Sequence, residues 1–297
     1  MSKNIMEQGT NRINIVGTLL DTTFRSGKTA DGRAYESATM TIRVTQTFGG
    51  REEVSEIPVS MFASQYTRQN KPSAAWAQLQ ELKKLKTAQN GGIEEAATVR
   101  INNASLRENN FVSRNGNLVS SWQINTNFLS DGKAAEGATF AIDVFILDMH
   151  PEEDREGEPT GRLILKGGIV QYGGKLDVVE FVVEDPNSVD YVERNWNVND
   201  TLQVRGRIRV TSVEEKNTSS TGGWGEEIPQ ATTRFVRELV ITSGDDAARE
   251  EEFAYDVTDI RKAFNVRKAM IEQLQVDAKQ KSAKTAAAPT ANKYDWE

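Results

Sequence analysis

The sequence predicts a mainly β protein: two five-stranded barrels in tandem, followed by an amphipathic helix and a disordered tail. Three observations lead there. Period-two alternation of β-branched and polar residues recurs along the chain. The order strand, strand, strand, helix, strand, strand occurs twice. A long helical period follows only after residue 245.

Asn11 to Phe62 sets the pattern. In strand one, Ile13, Ile15, Gly17 and Leu19 share a face, with Arg12, Asn14 and Thr18 opposite. In strand two, Ala38, Met40, Ile42 and Val44 face inward, and Tyr35, Ser37, Thr39, Thr41, Arg43 and Thr45 face outward. An aromatic and a cation among small hydroxyls can stack a base and hold a phosphate. The same face also reads as plain solvent-facing sheet. Between the strands lies FRSGKTADGRAY, a loop carrying Arg25, Lys28 and Arg33. Paired glycines at 49 and 50 supply the positive φ of a hairpin turn. Strand three alternates Ile57, Val59 and Met61 against Glu56, Ser60 and Phe62, and Pro58 marks it as an edge or bulged strand.

From Pro72 to Lys86 the period becomes helical through Trp76, Leu79, Leu82 and Leu85. ATVRINNASL returns to alternation, and RENNFVSRNGNLVSSWQINTNFL reads as a hairpin with Asn115-Gly116 at its tip. This is the element order of the OB-fold, a five-stranded Greek-key barrel with a helix between strands three and four. ATFAIDVFIL, GRLILKGGIVQY and GKLDVVEFVVE repeat the three strands, Pro186 to Trp196 the helix, and TLQVRGRIRV and TTRFVRELVI the last pair. The domains expected are 1–132, an OB-like nucleic-acid-binding unit; 133–245, a second and acidic OB-like unit; and 246–297, helix and tail. Ser130 to Gly137 reads as the linker. PEEDREGE at 151–158 reads as a solvated loop, lacking the ordered ligands of a calcium loop. Asn217 to Gln230, with Trp224, is a long excursion of the kind that touches ligands on this fold. Val257, Ile260, Phe264, Ile271 and Leu274 mark the amphipathic helix, whose stripe must pack on a barrel, another copy or a partner.

Bulk composition narrows the function. There is no cysteine, which excludes disulfides, thiolate nucleophiles and cysteine zinc sites. No run of about 18 apolar residues occurs, so no membrane-spanning helix is expected; the N-terminus lacks an apolar signal core, so the expected location is the cytosol. The net charge of −7 is unevenly spread: +4 over residues 1–130, −9 over 131–243 and −2 over 244–297. A polyanion would prefer the first third, because local field steers it. The single histidine, His150, has no nucleophile motif beside it, and neither a Walker loop nor a dinucleotide fingerprint occurs. No enzyme, cofactor or metal is expected.

The first unit resembles bacterial-type single-stranded DNA-binding proteins. NRINIVGTL is similar to their opening strand, MTIRVTQTF to their second, ending near a stacking aromatic, and EVSEIPVSMFA to their third. RENNFVSRNG resembles their long hairpin, with Phe111 near another stacking aromatic. Glu56 stands where the family carries a tryptophan, which implies a smaller stacking platform. Tandem units with a divergent second half look most like phage- or plasmid-encoded members. The resemblance implies single-stranded DNA as partner, roles in replication, recombination and repair, and a flexible tail whose acidic-hydrophobic tip docks other proteins. Tyr294, Asp295, Trp296 and Glu297 are similar in kind to that tip; the alternative is a bare disordered end.

The stacking candidates are therefore Tyr35, Phe48, Phe62, Phe111 and Trp122, each of which could instead be core. The phosphate candidates are Arg25, Lys28, Arg33, Arg43, Arg51, Arg107 and Arg114. Arg205, Arg207 and Arg209 lie two residues apart and want anions between them, either carboxylates of their own domain or a nucleic-acid backbone. The expected function is sequence-independent binding of single-stranded DNA without catalysis, with homo-oligomerisation open. The alternatives are a protein-assembly scaffold on two barrels, or RNA binding.

Overall fold

The computed structural model describes residues 6–29, 31–67, 69–113, 116–217 and 230–286, with the side chains of 213–217, 230–234 and 281–286 left aside. Strands β1 (Asn11–Lys28), β2 (Ala34–Phe48) and β3 (Arg51–Ser64) form where the period of two runs. On β2 the alternation holds along its length: Ala38, Met40, Ile42 and Val44 are at most 2% exposed, while Thr39 is open to solvent. The β2–β3 turn uses Gly49 (φ 54°) and Gly50 (φ 76°), a conformation that costs a residue with a Cβ. Strand β3 runs beside β2 over its whole length without a bulge. Pro58 falls one residue before the short parallel pairing with β5, where its missing N–H is tolerated.

Helix α1 (Ala74–Leu82) is shorter than the helical period suggested. Ser73 caps its start by accepting from the Trp76 N–H at 3.3 Å, and Leu79 and Leu82 are buried. Beyond it the chain leaves the helix at Lys83, whose ammonium pairs with Glu36 of β2 at 2.5 Å. There follow α2 (Ala88–Gly91), β4 (Thr98–Val112), β5 (Leu118–Thr126), β6 (Ser130–Asp131), β7 (Gly137–Glu153), β8 (Pro159–Gln171) and β9 (Lys175–Val183). Helix α3 (Pro186–Asn195) starts on the Asp185 cap, and β10 (Thr201–Asn217), β11 (Gln230–Gly244) and α4 (Val257–Ala286) complete the chain.

The strands form one continuous sheet in the order β10-β11-β9-β8-β7-β1-β2-β3-β5-β4-β6, with additional β10–β7 and β1–β4 pairings. Pairing therefore returns to its start twice, as β1–β2–β3–β5–β4–β1 and as β7–β8–β9–β11–β10–β7. In each circuit the third and fifth strands are parallel, β3–β5 and β9–β11.

The two halves meet along strands as well as through the connection at Ser130 to Gly137. Residues 11–16 of β1 pair antiparallel with residues 137–142 of β7, so the halves share a ladder. An unpaired edge would leave a row of backbone N–H and C=O groups open, and β7 satisfies it. Side chains reinforce the junction. Asn11 Nδ2 donates to the Leu106 carbonyl at 2.8 Å, and Gln171 Nε2 donates to the same oxygen at 3.1 Å. One hydrophobic core runs through both circuits, from Ile13 to Ile241.

A second, smaller core lies under α4. Ile260 (1% exposed), Val257 and Phe264 pack on Phe145, Val170, Leu176 and Val178. Arg267 then grips Glu108 of β4, its Nε at 2.7 Å, while the Val178 N–H donates to the same carboxylate. Burial works to raise the pKa of Glu108, but the hydrogen bonds from Arg267 and Asn110 outweigh it and hold the carboxyl below its ordinary value. Neighbouring Asp177 is pushed up, chiefly by burial. The contribution of Glu108 is full above the unfolded-state pKa of about 4.3 and is lost as pH falls through its lowered folded value. The protection of α4 amides against exchange, taken relative to the intrinsic rate at each pH, is therefore expected to fall below about pH 4. Glu108→Gln should flatten that dependence, since Asp177, shifted the other way, acts in the opposite sense. Protection factors in α4 that are the same at neutral and acid pH would contradict this.

Candidate nucleic-acid interface

The outward face of β1, β2 and β3 is three strands wide, and the register fixes its rows. Arg25, Ser37 and Phe62 lie side by side, as do Thr23, Thr39 and Ser60, and Gly27, Tyr35 and Ser64. Tyr35 and Phe62 are diagonal neighbours, with ring centroids 5.2 Å apart and planes tilted by 32°. Phe62 is 52% exposed. The Tyr35 ring lies over Gly27: a Cβ there would come within 2.7 Å of the phenol oxygen. This glycine serves as a floor for an aromatic platform. Arg25 is exposed along its β1 edge, and Lys28, exposed at the end of β1, falls in the alternate row opposite Ala34. Further along, Arg43 faces Glu56 across the β2–β3 ladder, which lowers the positive field at that end.

The structure places the other candidates less uniformly. Arg33 is held by Asp31, whose pKa is lowered to about 2, first by the hydrogen bond from Arg33 and then by that from Thr29. Arg51 is exposed at the β2–β3 turn. Phe111 is 44% exposed towards the tip of the β4–β5 hairpin, with Arg107 half-buried below it. Arg114, the Trp224 loop and Tyr294, Asp295, Trp296 and Glu297 lie outside the described residues.

Two candidates, Trp122 and Arg207, are buried, and Phe48 is half-buried beneath a cation. Trp122 is only 8% exposed and lies beneath the Arg237 guanidinium, 4.2 Å from its ring centroid. Phe48 is covered by Arg207, 4.3 Å from its ring centroid. Arg207, 5% exposed, pairs with Glu53 of β3 at 2.5 Å and with Glu184. Arg209 pairs with Glu184 at 2.8 Å and with Glu238. The anions between these arginines are thus carboxylates, one of them, Glu53, from the other half of the chain. Arg205 remains partly exposed, 3.4 Å from Asp245.

The corresponding face of the second circuit is partly covered. Its outward positions on β7, β8 and β9 include Phe145, Val170, Leu176 and Val178, and α4 covers them. Sequence reading also missed Phe235, 63% exposed, and the half-buried Arg237. The signal was available: alternation in RFVRELVI places Arg237 in phase with core residues Leu239 and Ile241, an unusual place for a cation. Among the described residues no cluster of His, Asp and Glu could hold a metal ion, and no helix is long and apolar enough to cross a membrane.

Comparison with solved structures finds the same fold elsewhere. The crystal structure of the wild-type single-stranded DNA binding protein from Thermus aquaticus superposes with a TM-score of 0.50 at 13% identity, covering 84% of this chain and 98% of that one. A deletion mutant of that protein superposes with a TM-score of 0.47 at 14% identity, over 84% and 100% of the two chains. No curated protein sequence matches. The architecture is that of a single-stranded DNA-binding protein, at a distance where likeness speaks for fold alone. The family model described as YorF matches residues 10–277, nearly the whole described chain, and the chain belongs to the YorF family.

Proposed function

We propose that this protein binds single-stranded DNA without sequence preference and without catalysis, along the outward face of β1, β2 and β3. One observation carries the reading: the Tyr35–Phe62 pair, half-buried and exposed respectively, on a hydroxyl-bearing strand face with Arg25 on it and Lys28 at the strand's end. Stacking on aromatic faces is worth about 1–3 kcal/mol per base and tolerates any base. Thr39, Thr41 and Ser60 leave the sugar-phosphate chain room to pass. The two strand circuits fit two OB-like barrels, residues 1–132 and 133–245, fused through β1 and β7. In this reading the first barrel holds the strand, the second braces it, and residues 246–297 lock the second barrel's face and lead to the tail. Protection of single strands in replication, recombination or repair in the cytosol, with partners recruited through Tyr294 to Glu297, extends the same reading. The likeness to the Thermus aquaticus protein supports it at the level of fold.

Titration of dye-labelled oligo-dT at several salt concentrations tests it, with oligo-U as the RNA arm. Two phosphates held by Arg25 and Lys28 give a slope of log K against log salt of about −1.4, at roughly −0.7 per phosphate for single strands. Arg25→Ala is expected to make the slope shallower by about 0.7. Absence of binding at low salt would sink the proposal. It would favour the assembly reading, for which Val266, Met270, Leu274 and Val276 on α4, all at least 40% exposed, offer a contact surface.

A further inference from the structure

A cleft of about 620 Å³ lies between the two halves, away from the β1–β2–β3 face. Ser120, Ser121 and Trp122 of β5 line one side, Lys166, Phe235 and Arg237 the other. We propose that this cleft is a second binding site, taking one nucleotide unit with its phosphate on Arg237 and its base against Phe235.

Arg237 is the key group. Its Nη2 donates to the Trp122 carbonyl at 2.9 Å, and the guanidinium rests on the Trp122 ring. Its Nε is buried with no acceptor. Burial alone pulls its pKa down, with no carboxylate acting to raise it. The acids of the cleft are engaged elsewhere or distant in role. Glu108 is held by Arg267, Glu238 by Arg162 and Arg209, and Glu180 stands opposite Lys166 on the β8–β9 ladder. A cation–π contact offsets part of the cost of burying a cation but offers no acceptor to the Nε. Buried polar atoms are hydrogen-bonded, so the Nε of this half-buried cation calls for an acceptor, which an anion entering the cleft supplies.

The rest of the cleft says which anion. Phe235 is two residues from Arg237 on the same strand face, roughly 6–7 Å along the strand, and its ring is 63% exposed. An aromatic face held that far from an unpaired guanidinium suits a base and its own phosphate. The volume falls in the range of small-ligand sites, about 300–1,000 Å³. The Ser120 hydroxyl adds a donor for the phosphate or sugar, while that of Ser121 donates to the Asn109 carbonyl. Such a unit can come from a free nucleotide or from one position of a strand, and the test separates the two.

Full-length protein, labelled at tryptophan indole nitrogens and assigned through Trp122→Phe, is titrated with thymidine monophosphate, thymidine and inorganic phosphate. A saturable shift of the Trp122 indole resonance is expected with the monophosphate, and binding at least about tenfold weaker with either fragment. Arg237→Gln and Phe235→Ala should each weaken it about fivefold or more. Phe235 is exposed, so that variant keeps its fold even if Arg237→Gln does not. Tyr35→Ala/Phe62→Ala should leave the shift intact, so failure of the β1–β2–β3 reading and failure of the cleft are distinguishable. No saturable shift, or equal affinity in Phe235→Ala, overturns the proposal. In a second arm, Phe235→Ala in the Tyr35→Ala/Phe62→Ala background is titrated with oligo-dT. A further loss identifies the occupant as a unit of a strand; unchanged residual binding identifies it as a free nucleotide.

Discussion

Alanine at both Tyr35 and Phe62 is expected to weaken oligo-dT binding by roughly 30- to 1,000-fold, about 2–4 kcal/mol for two lost stacking surfaces. The two rings touch, so their effects should not add: either single substitution removes the neighbour's support as well as its own face. Phe62 is half exposed and neither ring belongs to the buried core, so the double variant should keep its fold. Anisotropy titration beside a thermal melt separates the two quantities. A double variant that melts normally and binds normally would remove the platform from the account.

Arg207→Met is expected to cost about 3 kcal/mol of stability, the second large effect. Removing one partner of a buried ion pair strands the others. Here it leaves Glu53 of β3 and Glu184 facing a methionine, and uncovers the Phe48 ring. Arg209 still lies near both carboxylates, which keeps the loss at the lower end of the range for such pairs. Because Glu53 and Arg207 belong to different halves, the variant should also loosen them relative to each other. A urea melt in place of one sharp transition would then broaden or show two steps. An unchanged midpoint would contradict the interlocking of the halves through this pair.

Much of the fold was legible because it is written locally. The alternation in MTIRVTQTF fixed which side of β2 is core, and burial follows it at Met40, Ile42 and Val44. The helix between third and fourth strands was legible in both halves, since a change from period two to period 3.6 needs no partner to be seen. The junction was not legible. That β1 pairs β7 depends on two edges meeting more than 120 residues apart, and nothing in either strand's pattern names its neighbour. The same limit explains the site. Tyr35 and Phe62 could be placed on faces, but whether a ring is open depends on what lies above it. Trp122, Phe48 and Arg207 have equally suggestive surroundings in sequence, yet each is covered by a residue more than 100 positions away. Alternation around Arg237 did carry a signal, a cation in phase with the core.

Photocrosslinking tests the central claim most directly. Full-length protein bound to an oligonucleotide carrying 5-iodouracil is irradiated, and the adducts are mapped by mass spectrometry. The account predicts adducts on Tyr35 or Phe62, lost on raising the salt in step with binding. Binding without any adduct on either ring, with all crosslinks elsewhere on the chain, would contradict it.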